Sequence, residues 1–180
     1  MSDPFHDLDT LHAHVWRRLA TGAANADDPF HLTSLATSGP DGPEARMVGV
    51  RRADRARSEV EVQSDLRTAK VRALERDPRA ALLFWDPETE VQIRVSVRMR
   101  LIASDPERWR AMPDVARLNY GTDPAPGTPV DAPEAVTRAP DPARHVALVG
   151  TVRRIVALSL AHDPHRCAVF EGASARWVAP

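Results

Sequence analysis

Alternation of apolar and polar residues runs through the middle of this sequence. In Glu90–Ile102 every second residue is apolar, and most of the residues between them are polar or basic. Ser58–Ser64 alternates in the same way, with Val60 and Val62 on one side. This periodicity is typical of a strand that buries one face. We therefore predict a half-buried strand in each segment, and the longer one should have a basic outer face.

Shorter apolar runs predict the remaining strands. His31–Thr37 and Ala45–Arg51 flank the segment Ser38-Gly39-Pro40-Asp41-Gly42, in which glycine supplies positive φ and proline fixes its own φ. These two runs should therefore form a hairpin. Three further predictions complete the set: a strand at Ala80–Trp85, a strand at His145–Leu160, and a hairpin of Cys167–Phe170 with Trp177–Val178.

Helical periodicity appears in three places. Apolar residues recur every three or four positions in Phe5–Leu19, which predicts an amphipathic helix followed by a loop at Thr21–Pro29. Leu66–Arg76 is predicted as a second helix with Asp65 as its N-cap, and Asp105–Met112 as a third. Six prolines lie between positions 124 and 142, so residues 121–143 should form a long Pro-rich loop.

The order of these elements favours an antiparallel barrel with helices on its outside. Strands follow strands, instead of alternating with helices as they do in a parallel α/β sheet. The chain has 180 residues, which is about the size of one domain. We therefore expect one mainly β domain over residues 1–180.

Composition excludes several classes of protein. No apolar run approaches the roughly 18 residues of a membrane span, and the acidic N-terminus does not resemble a secretory signal. Cys167 is the only cysteine, so an internal disulfide is impossible and a cytoplasmic location is the simplest expectation. The net charge is -1, which argues against a nucleic-acid-binding protein.

Basic residues are concentrated in the middle third of the chain. Residues 46–110 hold 15 basic and 11 acidic side chains, whereas residues 1–45 hold 2 and 7. Arg67, Thr68 and Lys70, the only lysine, follow the third predicted strand, and Arg46 lies on the second. Cations and hydroxyls at the start of a helix are suited to a phosphate group. Ordinary solvated side chains at a helix start remain the alternative.

Five short segments follow one another along the chain, namely Arg46–Arg51 (RMVGVR), Val62–Asp65 (VQSD), Arg67–Lys70 (RTAK), Asp77–Phe84 (DPRAALLF) and Val91–Arg94 (VQIR). Their order resembles that of the FMN-binding split β-barrel of the pyridoxamine 5'-phosphate oxidase-like superfamily. The resemblance covers roughly residues 30–103. It implies a mainly β, antiparallel split β-barrel with N-terminal and peripheral helices, and FMN as the cofactor.

The resemblance also implies a set of FMN-binding residues. Arg46 would contact the phosphate, and the strand Met47, Val48, Gly49, Val50 and Arg51 would contact the flavin ring through its backbone. Gln63 and Ser64 would line the cofactor, Arg67, Thr68 and Lys70 would form the phosphate loop, and Gln92 would reach the flavin across a homodimer interface. No catalytic residue and no metal ligand follow from it.

The sequence departs from the true oxidases at several positions. Ala69 stands where they have arginine, which places the chain nearer a branch with an R-S-x-K loop, and Ser96-Val97 replaces a usual glycine. The C-terminal Arg and His that hold pyridoxine phosphate are not found, although Trp177–Pro180 resembles the W-x-x-P-like ends of relatives. FMN binding is therefore expected, and vitamin B6 oxidation is not.

Three functional hypotheses follow, and other chemistry has less support. The first is an FMN-dependent oxidoreductase acting on a small molecule, the second an FMN-binding carrier, and the third the same barrel holding haem or a deazaflavin. His12 with His14 and His162 with His165 suggest a metal, but each pair lacks a third convergent ligand. Cys167 is expected to be a buried small side chain.

Overall fold

This computed structural model describes residues 3–180, which contain ten strands and four α-helices. The helices are α1 (Leu8–Ala24), α2 (Ala69–Arg76), α3 (Pro106–Ala111) and α4 (Asp114–Arg117). The strands are β1 (Leu32–Gly39), β2 (Gly42–Asp54), β3 (Glu59–Asp65), β4 (Arg79–Asp86), β5 (Val91–Ala103), β6 (Thr122–Asp123), β7 (Thr137–Arg138), β8 (His145–Ser159), β9 (Arg166–Glu171) and β10 (Ser174–Val178).

Six of the strands close into an antiparallel barrel. Their order around it is β8-β3-β2-β1-β4-β5, and β5 returns to pair with β8. The long strand β8 also pairs with β9, and β9 with β10, so these two strands extend the sheet beyond the barrel. The predicted antiparallel split barrel with peripheral helices is confirmed.

The alternation in the sequence matches the two faces of the barrel wall. Val60 and Val62 of β3 are fully buried, as is Val95 of β5, whereas Arg94 and Arg98 are exposed on the outside. A strand with an apolar side chain at every second position is stable in a closed sheet because these side chains are removed from water on its inner face. The basic outer face predicted for β5 is therefore present.

The predicted boundaries of two helices are wrong. Helix α1 continues to Ala24 because Gly22 is still buried on its inner face, so Thr21–Ala24 is helix and not loop. Helix α2 begins at Ala69 instead of Leu66, with Thr68 at the N-cap. Asp65 is the last residue of β3, and its carboxylate accepts hydrogen bonds from Arg67, which holds Leu66–Thr68 as a turn.

The two ends of the Pro-rich segment lie side by side where the segment leaves and rejoins the barrel, and we call this place the neck. The Asp141 N–H donates to the Tyr120 carbonyl at 2.8 Å. Gly121 has φ +137°, and a Cβ there would lie 1.8 Å from the Ala139 carbonyl oxygen, so the neck requires glycine. Between these ends β6 pairs with β7, and residues 127–140 are exposed.

Within residues 3–180 no helix is both long and apolar enough to cross a membrane.

Candidate functional site

A split in the barrel wall separates β2 from β3. The two strands pair only where Val50–Asp54 faces Glu59–Val62. Beyond this point Gln63–Asp65 pairs with β8, while the first part of β2 pairs with β1. The Val50 N–H donates to the carbonyl of His31, which directly precedes β1, at 2.9 Å. The backbone groups of successive residues point to opposite sides of a strand, so the N–H and carbonyl of Met47, three residues before Val50, point toward the split. Backbone groups at this edge are therefore available to a ligand.

Arg46 lies on the inner side of β2, beside this split. It shares the face of Val48 and Val50, which are buried in the core. Its Nη1 donates to Thr37 Oγ1 at 2.7 Å, and its Nη2 lies 2.6 Å from a Glu44 carboxylate oxygen. These contacts hold the guanidinium at the end of the barrel near the β1–β2 turn.

Lys70 is held by hydroxyl groups. Its ammonium donates to Ser64 Oγ at 3.2 Å, and Ser64 Oγ lies 3.0 Å from Thr68 Oγ1. No carboxylate of residues 3–180 lies within ion-pair distance of this ammonium. Burial lowers the pKa of Lys70, and the nearby positive charge of Arg46 lowers the pKa further. Arg46 and Lys70 are therefore near enough for their charges to interact, and we call these two cations together with their neighbouring hydroxyls the cradle (Thr37, Arg46, Ser64, Thr68 and Lys70).

Arg67 does not join the cradle. Its guanidinium donates to both Asp65 carboxylate oxygens, at 3.0 and 2.7 Å, and to the Thr122 carbonyl at 2.7 Å. Burial would raise the pKa of the Asp65 carboxyl, but Arg67 lowers it below its usual value. The arginine that the resemblance assigns to the phosphate loop is instead engaged in fixing the start of the Pro-rich segment.

The other predicted site residues lie on two faces of the wall. Val48 and Val50 have buried side chains, so only their backbone can contact a ligand. Gln63 lies on the outer face of β3, whereas Ser64, the adjacent residue, is buried on the inner face. The structure therefore does not bring this pair to the same side of the strand.

A pocket of about 510 Å³ opens on the outer face between β2–β3 and the helices α3 and α4. Arg108 of α3 binds the buried Glu61 through its Nε and Nη2 atoms at 3.1 Å, and this hydrogen bonding raises the pKa of Arg108. Arg51, also in the wall, lies beside Tyr120, whose pKa is raised by burial and partly lowered again by Arg51. Met47, Gly49, Arg51 and Gln63 belong to the outer face that leads from the split to this pocket.

Gln92 lies on a different part of the outer surface. Gln92 of β5 is paired with Trp85 of β4. Two residues before Trp85, Leu83 is paired with Ser34 of β1, and Ser34 is paired on its other side with Met47 of β2. A partly apolar face thus crosses four strands, with exposed side chains at Leu32, Met47, Leu83 and Trp85. This chain alone does not bring Gln92 to the cradle.

His145 at the start of β8 is fully buried, and neither ring nitrogen has a hydrogen-bond partner among the described residues. Its ring packs against Trp109 and Tyr120, with centroids 5.9 and 5.1 Å away. Burial lowers the pKa of His145, so the ring is neutral at pH 7. Sequence inspection did not single out this residue because its surroundings arise from tertiary packing.

The histidine pairs considered for metal binding have other partners. His12 accepts from Trp16 Nε1 at 3.0 Å, and His162 bonds to Ser159 and Asp3 at 2.7 and 3.0 Å. Within residues 3–180 no group of three metal-ligating side chains is placed to hold an ion. Cys167 is buried, as predicted.

Thr37 and Glu44 were missed as members of the site. The hairpin register places them opposite each other, because Gly39 faces Gly42 across the turn. A register drawn from that tight turn would have found the pair, and alternation would have placed Arg46 on the same face as Glu44.

The cradle fits the phosphate of FMN. A half-buried ammonium whose partner is a hydroxyl can accept an anionic ligand without breaking an ion pair, and a second cation lies nearby. Hydrogen bonds to charged groups contribute about 1.5–3 kcal/mol each. The donor set is thus chemically suited to a phosphate monoester.

Comparisons with known proteins found a matching family profile and a related protein. The family profile described as "Pyridoxamine 5'-phosphate oxidase, FMN-binding domain" matches residues 13–103. Pyridoxine/pyridoxamine 5'-phosphate oxidase 2 of Arabidopsis thaliana is 28% identical over 138 residues, and the match covers 69% of this chain and 69% of that protein.

Two solved structures share the fold over the whole chain. A pyridoxamine 5'-phosphate oxidase-related, FMN binding protein of Nostoc punctiforme PCC 73102 has a TM-score of 0.75 and 23% identity, with 100% of both chains covered. PhzG from Burkholderia lata 383, in complex with tetrahydrophenazine-1-carboxylic acid, has a TM-score of 0.75 and 19% identity, covering 100% of this chain and 98% of that one.

Proposed function

Because the chain belongs to the family of pyridoxamine 5'-phosphate oxidase FMN-binding domains, we propose that it binds FMN and acts as an FMN-dependent oxidoreductase on a small molecule. The observation that carries the proposal is the cradle, in which Lys70 is bonded to Ser64 and lies near the charge of Arg46. Two cations beside three hydroxyls are suited to a phosphate monoester, which carries about -1.5 to -2 charge at pH 7.

The split supplies a place for the rest of the cofactor. From Arg46 the strand β2 runs along the split to Val50, where its pairing with β3 begins, and Met47 presents its backbone N–H and carbonyl to the split. A cofactor anchored by its phosphate in the cradle would lie along this edge, held by main-chain hydrogen bonds. When bound, FMN supplies hydride or electron transfer, and the chain contributes anchoring and orientation.

The outer pocket is our candidate for the substrate side. Arg108 is neutralised by Glu61, whereas the guanidinium of Arg51 contacts His31 at 3.3 Å and the Tyr120 hydroxyl, and has no carboxylate partner within residues 3–180. A cation without a carboxylate partner at the rim of a pocket favours an anionic ligand. We therefore propose a small anionic substrate next to Arg51 and Tyr120.

A homodimer completes the proposal. Leu32, Met47, Leu83 and Trp85 leave a partly apolar face in solvent, and apolar residues rimmed by charge mark contact surfaces. Met47 belongs both to this face and to the edge of the split, so a second copy packed here would lie close to the cofactor. Gln92, which is beside Trp85, would then be at the interface, as the resemblance implies.

The visible absorption spectrum of the purified protein, with and without added FMN, tests the cofactor. We expect the paired bands of oxidised flavin to survive desalting. An intense Soret band would instead identify haem, and a deazaflavin spectrum that survives FMN depletion would identify that cofactor. A colourless protein that ignores FMN would overturn the proposal.

Turnover is tested next, because a carrier would pass the first experiment. We expect NADH, NADPH or a substrate to bleach the flavin bands without oxygen, and air to restore them. A protein that retains FMN while none of these compounds reduces it would support the carrier hypothesis against the oxidoreductase.

A further inference from the structure

Glu44 lies at the edge of the region that the cradle offers to an anion. One of its carboxylate oxygens is 2.6 Å from Nη2 of Arg46, and Arg46 Nη1 also approaches the Glu44 backbone carbonyl at 3.3 Å. The Glu44 side chain is 40% exposed, whereas the Arg46 side chain is 22% exposed. Glu44 is therefore at the boundary between the cradle and solvent, and its partner is more deeply placed.

The local backbone makes room for this carboxylate. A Cβ added to Gly39 would lie 2.3 Å from a Glu44 carboxylate oxygen. Glu44 thus packs over a residue without a side chain, directly across the hairpin from Thr37, its cross-strand partner. This contact holds Glu44 against the same guanidinium that an incoming phosphate would use.

Charge around the cradle shows the effect of Glu44 on an anion. Arg67 is neutralised by Asp65, so Arg46 and Lys70 are the cations that face a phosphate, and Glu44 cancels one of them. A phosphate monoester carries about -1.5 to -2 charge. Two cations without Glu44 would nearly balance it, whereas with Glu44 the local charge would be negative.

We propose that Glu44 is a built-in competitor for the anion, which weakens phosphate binding by occupying Arg46. Because it is half-exposed, its carboxylate can rotate into water when a phosphate takes its place. Strong dianions displace it and weaker anions do not, so Glu44 sets the selectivity of the cradle and keeps the cofactor exchangeable. This inference rests on the proposed FMN site and adds the residue that limits its affinity.

The test is a binding titration in which the phosphate is the only variable. Apo-protein of wild type, Glu44→Gln and Glu88→Gln is titrated with FMN and with riboflavin, which lacks the phosphate, by following flavin fluorescence. Glu88 is an exposed carboxylate in the turn between β4 and β5 and serves as the matched control. Glutamine keeps a hydrogen-bond acceptor for Arg46 and removes the charge.

We expect Glu44→Gln to bind FMN about three- to fivefold more tightly, the size of a half-exposed pair of charges. Riboflavin affinity should be the same in all three proteins, and Glu88→Gln should match wild type with both ligands. Unchanged FMN affinity in Glu44→Gln would overturn the proposal. Weaker FMN binding would overturn it too, because Glu44 would then be a residue that positions Arg46.

A second readout separates this inference from the proposed function. Inorganic phosphate should raise the melting temperature of Glu44→Gln more than that of wild type, and equal shifts would count against the competitor. If wild type binds neither flavin, the FMN proposal fails while this phosphate measurement still decides the role of Glu44. If wild type binds FMN and Glu44→Gln behaves identically, only the inference about Glu44 fails.

Discussion

Lys70 is the residue on which phosphate binding depends most directly. Its ammonium is half-buried and bonded to Ser64 Oγ, so a phosphate would gain a charge-assisted hydrogen bond there. We expect Lys70→Ala to weaken FMN binding by about 1.5–3 kcal/mol, which is about 10- to 150-fold, and to leave riboflavin binding unchanged. Fluorescence titration measures both.

Arg76 provides the control for that substitution. It is an exposed cation in the last turn of the same helix, so Arg76→Ala removes equal charge away from the cradle. Equal losses in the two variants would attribute the effect to net charge, and no loss in Lys70→Ala would remove the phosphate cradle from the proposed function.

His145 should make the protein acid-sensitive. Burial lowers its pKa below the ordinary 6.5 in the folded state only. As the pH falls below 6.5 the unfolded chain therefore binds the proton first. This share of the stability is complete above pH 6.5 and is lost as the pH falls toward the lower pKa of the folded state.

The His145→Leu variant isolates that contribution. It removes a buried ring without hydrogen-bond partners, and replacing such a group with an apolar one of similar size is close to neutral or stabilising. We expect the free energy of unfolding, measured by urea denaturation, to fall less between about pH 7.5 and 5.5 than in wild type. His12 and His14, whose pKa values burial also lowers, should retain their share, and an identical pH dependence in both proteins would contradict this prediction.

At the level of elements, Arg67 connects the β3–α2 turn to the Pro-rich segment. Its loss would leave Asp65 buried without its partner and free the Thr122 carbonyl. We expect Arg67→Ala to lower the free energy of unfolding by about 1–3 kcal/mol, and to speed protease cleavage within residues 124–140. FMN affinity should fall less than in Lys70→Ala, and an equal fall would restore Arg67 to the phosphate loop.

The same elements show how far the sequence could be interpreted. The alternation of β3 and β5 predicted strands and their buried faces correctly, because a half-buried strand leaves a periodic trace. The start of α2 was wrong because Asp65, a good N-cap residue, uses its carboxylate on Arg67 instead.

Contacts between distant parts of the chain left no local trace. The bond from Arg67 to Thr122 and the packing of His145 against Trp109 join segments far apart in sequence. The segment order pointed to the cradle residues Arg46, Ser64, Thr68 and Lys70, and it grouped Gln63 with Ser64 although the alternation of β3 places these adjacent side chains on opposite faces. It could not show that Glu44 occupies Arg46, which requires the hairpin register.

For the whole molecule, the partly apolar face predicts self-association. Leu83 is 41% exposed near its centre, so a charge there would have to be buried in a dimer at a cost of several kcal/mol. We expect Leu83→Glu to shift the protein from dimer to monomer in analytical ultracentrifugation, and to weaken FMN binding if a second copy completes the site.

Leu160 is the matched control because it is the same residue type and is 39% exposed just beyond the end of β8. Leu160→Glu should leave the dimer intact. A wild-type protein that sediments as a monomer, or a Leu83→Glu protein that remains dimeric, would contradict the proposed interface.

Because β8 closes the barrel, it also determines when the strands can complete their pairing during synthesis. Strands β3 and β5 both pair with β8, which begins only at His145. During synthesis both strands must therefore wait with one edge unpaired while the Pro-rich segment is translated, and unpaired edges invite pairing with other chains. The barrel can therefore close only after β8 has been made, and slow translation before β8 would lengthen the interval in which these two edges are exposed.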